Sequence, residues 1–240
     1  MTVLALTLAG PLQAWGSASR FTTRATDDAP TKSGVIGLLA AARGLRRTDP
    51  LEDLASLRFG VRIDQPGELL RDFQTARSLD EKDTMPLSYR FYRADARYLV
   101  GLEADHDLLD GLVDALRHPV FPLYLGRRSC PPSEPLIPQL REVSLERFLL
   151  DEPWQAARWW QHQRRDDPTV VEFRIDAVGG TGELQEHVHG ELTQRDEPLS
   201  FDPEHREYGW RAVSQGWIRL GGAEPPSPTA PAHDPMNALE

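Results

Sequence analysis

Alternation opens the chain. Leu4, Leu6 and Leu8 share one face between small or polar neighbours and stop at Gly10-Pro11, which predicts a half-buried strand. Between Lys32 and Arg43 the period lengthens: Val35, Ile36, Leu38, Leu39 and Ala42 recur at helical spacing. Thr31 or Ser33 is placed to accept from the free N–H groups at the helix start, and Gly44 to end it. Phe59, Val61 and Ile63 return to alternation before the Gln65-Pro66-Gly67 turn, and Glu68 to Thr75 reads as a third strand. Regularity lapses over residues 76–96 and resumes as a strand from Tyr98 to Glu103. Leu108, Leu109, Leu112, Val113 and Leu116 then mark a second helix, with Asp105 or Asp107 as its cap. Pro119 and Pro122 bracket the start of one more strand through Leu123 to Leu125.

Strand, helix, strand, strand, insertion, strand, helix, strand predicts an α+β fold of ferredoxin-like or RNA-recognition type. That architecture serves many unrelated functions, so it assigns none. The expected organisation is a ferredoxin-like N-terminal domain over residues 1–140, with a hairpin insertion at about 76–96. A small β-rich part follows over 141–220: a short helical stretch from Val143 to Leu149, a strand marked by Val171, Phe173 and Ile175, a glycine turn at 179–182 and two strand-like runs. From 221 to 240 the chain is rich in Pro, Ala and Ser with few apolar anchors, and reads as a disordered tail.

Composition narrows the class. No stretch of the 240 residues is apolar enough to cross a membrane, the first residues carry no basic leader, and a cytoplasmic protein is expected. A single cysteine, Cys130, excludes an internal disulfide or a multi-cysteine zinc site. The net charge of −10 argues against a nucleic-acid partner until its distribution is considered. Residues 1–130 balance 17 basic against 17 acidic side chains, and the remaining 110 residues carry 10 against 20. All basic residues except Lys32 and Lys82 are arginines. Planar guanidinium suits phosphates and base faces, although a GC-rich coding bias produces the same usage.

Five segments carry a family likeness: Leu8-Ala9-Gly10-Pro11-Leu12-Gln13-Ala14-Trp15-Gly16, Ser19-Arg20-Phe21-Thr22, the run from Pro30 to Ala40 around Thr31-Lys32-Ser33-Gly34, Phe59-Gly60-Val61-Arg62, and the run from Phe121 to Pro132 around Gly126-Arg127-Arg128. In this order and spacing they resemble the CasD family of CRISPR-associated proteins, which belongs to the type I-E Cascade complex. The resemblance fades beyond residue 140. It implies a non-catalytic subunit that binds and caps the 5′ handle of the crRNA. It also implies a thumb-like β-hairpin reaching the CasC backbone subunit, the large CasA subunit docked nearby, and target DNA met through the assembled complex. No cofactor or metal is implied.

Candidate contacts follow from the residue types. Thr31-Lys32-Ser33-Gly34 opens a helix, where free N–H groups and the dipole favour an anion; Lys32 and Ser33 are candidates for a phosphate of the handle, with a simple helix cap as the other reading. The glycines of a nucleotide-binding phosphate loop are missing, since Thr31 and Thr26 stand in their places. Gln13, Trp15, Ser19, Arg20, Phe21 and Arg24 lie in the loop after the first strand. Such a loop offers stacking and hydrogen bonding to unstacked bases, while Trp15 also reads as a core anchor. Arg90 and Arg93 interleave with aromatic residues in Ser88-Tyr89-Arg90-Phe91-Tyr92-Arg93, a pattern suited to a nucleic-acid backbone or to a solvated hairpin. Gly126, Arg127 and Arg128 follow the last expected strand, where glycine lets the backbone approach a phosphate.

Other chemistry-bearing residues read as inert. Cys130 has no base partner in the sequence and is assigned to packing. His187 and His189 share a strand face but lack a third metal ligand at a set distance. The alternative function is a metal-independent endoribonuclease that processes precursor crRNA, with His118, Arg117 and Tyr124 as general acid–base groups.

Overall fold

A computed structural model of the chain describes residues 1–17, 22–80, 82–165 and 169–220. Ser19, Arg20 and Phe21 among the candidate contacts, and the expected tail, lie outside the described residues. In chain order the first elements are β1 (Thr2–Ala9), β2 (Leu12–Gln13), β3 (Thr23–Arg24), α1 (Lys32–Arg43), α2 (Glu52–Ala55), β4 (Arg58–Gln65), β5 (Glu68–Gln74), β6 (Ser88–Ala94), β7 (Arg97–Ala104) and α3 (His106–Arg117). There follow β8 (Gln139–Arg141), α4 (Leu145–Asp151), α5 (Arg158–Gln163), β9 (Val170–Asp176), a 3-10 turn (Gly182–His187), β10 (Val188–Ser200) and β11 (Glu207–Arg219).

The α+β class expected from the pattern is the class observed. Seven strands form one sheet in the order β10-β11-β9-β4-β7-β1-β8, antiparallel at every pairing. Residues 170–219 therefore supply three strands of the same sheet that holds β1, β4 and β7. Alternation decides which side chains go where. Leu4, Leu6 and Leu8 of β1, with Phe59, Val61 and Ile63 of β4, join Val35, Ile36 and Leu39 of α1 and Leu109, Leu112 and Leu116 of α3 in the larger core. Val3, Ala5, Leu99, Phe173 and Ile175 face the other way and pack under Leu145, Phe148 and Leu149 of α4. A Cβ on Gly101 would stand 2.6 Å from Leu145 and 2.8 Å from Phe148, so the missing side chain is what lets α4 lie this close to β7. The central strands β1, β4 and β7 are thus packed on both faces.

Two strand expectations are corrected. Leu123 to Leu125 is not a strand; the outer partner of β1 is β8, through Leu4 opposite Leu140. The stretch between Pro119 and Gly126 lacks a run of free N–H groups for a ladder, and Leu125 is instead buried as a loop residue that bonds Cys130 and Ala14. The third strand exists at Glu68–Gln74, but it pairs with β6 in a second, smaller sheet with β2 and β3. The expected insertion at 76–96 is thus the tip and returning arm of a longer hairpin.

One buried ionic network ties the C-terminal strands to α1, a second ties β4 to α4, and a further ion pair joins β9 to Asp28. The irregularity in β10 between Gln194 and Glu197 accompanies a fully buried Asp196. Asp196 accepts from the Lys32 backbone N–H at 2.7 Å and from Arg211 Nε at 2.7 Å, while Arg211 also reaches Asp176 at 2.6 Å. On the other side of the sheet, Arg62 is 0% exposed, pairs with Asp64 at 2.6 Å, and donates to the Leu149 carbonyl in the last turn of α4 and to the Glu152 and Pro153 carbonyls just past it. Asp28 is drawn in by Arg174, whose two terminal nitrogens each lie 2.7 Å from a carboxylate oxygen. Burial pushes the Asp28 carboxyl up, but the Arg174 pair outweighs it and holds Asp28 below the ordinary value.

Candidate nucleic-acid interface

A groove of about 710 Å³ runs along the outer side of α1. Its floor is made of small residues, Gly34, Gly37, Ala40 and Ala41, which keep the helix surface low. The loop from Phe121 to Arg128 forms one wall and the tip of the β10–β11 hairpin, from Phe201 to Tyr208, the other. Local chemistry builds both ends. Thr31 caps α1 by accepting from Gly34 N–H at 3.2 Å. At the other end Gly44 takes the left-handed conformation at φ 78°, where its N–H and that of Leu45 bond the last turn and direct Arg46 and Arg47 into the groove. Gly126, at φ 85°, brings the Phe121–Arg128 loop so close that a Cβ would lie 1.8 Å from the Ala14 carbonyl.

Among the described residues four arginines line this groove, Arg46, Arg47, Arg128 and Arg206, and no Asp or Glu does. All four are exposed, and none has an ion-pair partner among the described residues. In a chain of net charge −10, four uncompensated guanidinium groups in one concavity focus positive potential there. Phe121, Tyr124, Phe201 and Tyr208 add ring surface between them, with Phe201 and Tyr208 tilted at 6.4 Å. Phosphate-binding charge interleaved with aromatic faces is what a single-stranded nucleic acid requires.

Of the residues singled out in the sequence, Trp15, Ser33, Gly126 and Arg128 line this groove. Trp15 does so as a wall of the core, 1% exposed, with its indole N–H on Gln13 Oε1 at 3.0 Å. Gln13 is fully buried as well, donating to the Leu8 and Ala96 carbonyls. These two therefore hold the loop after β1 in place, and no polar atom of Gln13 reaches solvent.

Lys32 is a correction of another kind. The anion expected at the α1 N-terminus is supplied by the chain itself, because the Lys32 N–H is taken by Asp196 and its ammonium lies 2.9 Å from Glu197 and 3.3 Å from Asp176. Hydropathy patterning had no means of pairing a helix start with a carboxylate more than 160 residues away. Arg127 likewise turns inward: it donates to the Phe91, Arg24 and Ala25 carbonyls and stacks over Tyr92 at 4.9 Å. It clamps β3 to β6 beside the groove, while its neighbour Arg128 faces the groove. Arg24 is exposed on β3, and Arg90 and Arg93 are half-buried on β6, where each Nε is without a hydrogen-bond partner among the described residues.

Arg46, Arg47, Arg206, Phe121, Phe201 and Tyr208 were not singled out in the sequence. An arginine pair immediately after a predicted helix cap was a usable signal. Nothing local marked Arg206, which sits among acidic neighbours and reaches the groove only because β10 and β11 carry the hairpin tip to α1. The alternative catalytic trio does not assemble: Arg117 lines a separate apolar hollow with Pro119 and Leu123, Tyr124 lines the main groove, and no hydrogen bond joins either to His118. Cys130 is buried, and burial pushes its thiol up, away from the reactive thiolate. Among the described residues no group of three His, Cys, Asp or Glu is placed to hold a metal, and no helix is long and apolar enough to cross a membrane.

Comparison with known proteins gives a consistent picture. The family model described as CRISPR-associated protein (Cas_Cas5) matches residues 3–214. A curated relative from Escherichia coli K12, the CRISPR system Cascade subunit CasD, is 32% identical over 91% of this chain and 96% of its own length. A solved chain of a CRISPR RNA-guided surveillance complex superposes with a TM-score of 0.72 at 30% identity, covering 98% of this chain and 96% of that one. A crystallised Cas protein gives a TM-score of 0.69 at 34% identity over 92% of this chain and all of its own.

Proposed function

Because the chain belongs to the Cas5 family of CRISPR-associated proteins, we propose that it is a subunit of a type I-E Cascade interference complex and binds the 5′ handle of the crRNA. The observation that carries this reading is the groove along α1, where, among the described residues, four arginines without an ion-pair partner and no carboxylate line a concavity in an acidic protein. Phosphates of the handle sit against Arg46, Arg47, Arg128 and Arg206, and Phe121, Tyr124, Phe201 and Tyr208 stack its splayed bases. Ser33 borders the path, Trp15 and Gln13 shape it, and Arg24, Arg90 and Arg93 carry the strand onward toward the β5–β6 hairpin. Ser19, Arg20 and Phe21, which follow Trp15 closely in the sequence, are proposed as further contacts to the handle. Lys32 and Arg127 support the surface from beneath rather than touching RNA.

The hairpin has a separate task. Leu69, Phe73, Leu79 and Met85 are exposed along it, and apolar side chains on a projecting arm mark a protein contact. Its partner in this reading is the CasC backbone subunit, with CasA near the groove, and target DNA reaches the chain through the assembled complex.

The role is binding rather than catalysis. Purified chain incubated with repeat RNA in EDTA is expected to leave the RNA intact. Cleavage at one defined position, abolished by His118→Ala, would overturn the non-catalytic reading in favour of an endoribonuclease.

A further inference from the structure

We propose that α5 is a second nucleic-acid contact, a stacking platform for single-stranded DNA or RNA that is separate from the groove along α1. The helix runs Arg158-Trp159-Trp160-Gln161-His162-Gln163 and is followed by Arg164 and Arg165. From Pro153 to Arg165 there is no carboxylate, although Asp151-Glu152 precede and Asp166-Asp167 follow this segment in the sequence, in a half of the chain where acidic residues outnumber basic ones by 20 to 10. None of the helix residues is buried. A tryptophan pair on a helix that packs into no core contributes nothing to folding in proportion to the apolar surface it leaves wet.

The platform is nonetheless firmly mounted. The Trp154 indole donates to the Asp64 carbonyl at 2.8 Å, Gln155 N–H to the Asp64 carboxylate at 2.6 Å, and Ala157 N–H to Gln65 Oε1 at 3.0 Å, so the approach to α5 is tied to the end of β4. Gln161 spans back to the Trp154 and Ala156 carbonyls. On this mount Trp159 stands edge-on to Trp160 at 5.5 Å and is 51% exposed, while the Arg164 guanidinium lies 3.5 Å over the Trp160 ring. Arg158 and Arg164 have no carboxylate partner among the described residues.

Exposed Trp and Arg also anchor protein interfaces, where a fully desolvated apolar centre surrounds them. Here the flanking side chains are Gln161, His162 and Gln163, which offer no such centre. The guanidinium groups of Arg158 and Arg164, without a carboxylate partner among the described residues and beside a half-open indole, match a polyanion with π-faces.

The test uses the full chain carrying Arg46→Ala, Arg47→Ala, Arg128→Ala and Arg206→Ala, so that the groove makes no contribution, and labelled oligothymidylate and oligouridylate of about twelve nucleotides. In that background Trp159→Ala, and separately Arg158→Ala with Arg164→Ala, are expected to weaken binding about tenfold, while Trp159→Phe retains most of it. Melting temperatures are expected to stay unchanged, because no side chain of α5 is buried. Loss on one oligonucleotide only supports the proposal and identifies the strand. Affinity for both strands within twofold of the parent would overturn it, as would a photoreactive residue at position 159 cross-linking, in the assembled complex, to protein alone.

Discussion

Converting Arg46, Arg47, Arg128 and Arg206 together to Ala is expected to lower affinity for a handle oligoribonucleotide by about 100-fold or more at low salt. Each arginine that neutralises a phosphate releases counterions, so the slope of log affinity against log salt is expected to flatten by about 3 for four lost contacts on a single strand. Anisotropy titrations at several salt concentrations read both quantities. The fold is expected to survive, because the four side chains are exposed and none of the guanidinium groups has a partner among the described residues. Unchanged affinity with an unchanged slope would remove the groove from the account.

Arg62→Ala carries the largest expected cost to stability. The substitution leaves Asp64, fully buried, without its counter-charge, and frees three carbonyls at the end of α4 that Arg62 now satisfies. Breaking one member of a buried pair costs about 3–5 kcal/mol, which for a chain of this size lowers the melting temperature by roughly 6–20 °C. Removing both charges, Arg62→Ala with Asp64→Ala, is expected to recover part of that loss, since the uncompensated carboxylate is gone. A single variant that melts within a degree or two of the parent would show that the pair is idle.

Local regularity explains what the sequence made visible. α1 was legible to its ends, because Thr31, the apolar period and Gly44 all state the same helix, and β1, β4, β7 and α3 follow from equally local patterns. Pairing was not legible. Leu123 to Leu125 carries the burial of a strand without the ladder, while Gln139 to Arg141, flanked by Pro138, carries the ladder with little pattern of its own. Hydropathy reports burial, and burial does not reveal which backbone groups are free to bond.

The candidate site divides along the same line. Arg128, Gly126, Ser33 and Trp15 were found because they sit in short motifs next to predicted element ends, and the groove brings all four together. Lys32 was misread because its partners, Asp176, Asp196 and Glu197, come from strands far along the chain. Arg206, Phe201 and Tyr208 were missed for the converse reason: an exposed hairpin tip has no periodicity, and its position over α1 depends on the β10–β11 register and on the buried Arg211–Asp196 pair. The charge sum alone is no guide, since −10 over the chain conceals a groove with no acidic lining among the described residues.

The most direct measurement is photo-cross-linking from the groove wall. With Phe201 replaced by a photoreactive benzoylphenylalanine, the chain is assembled with its sister subunits and an end-labelled guide RNA, irradiated, and the attached nucleotide mapped. Adducts confined to the 5′ handle are the predicted result. Adducts confined to the spacer or the 3′ end would contradict the account.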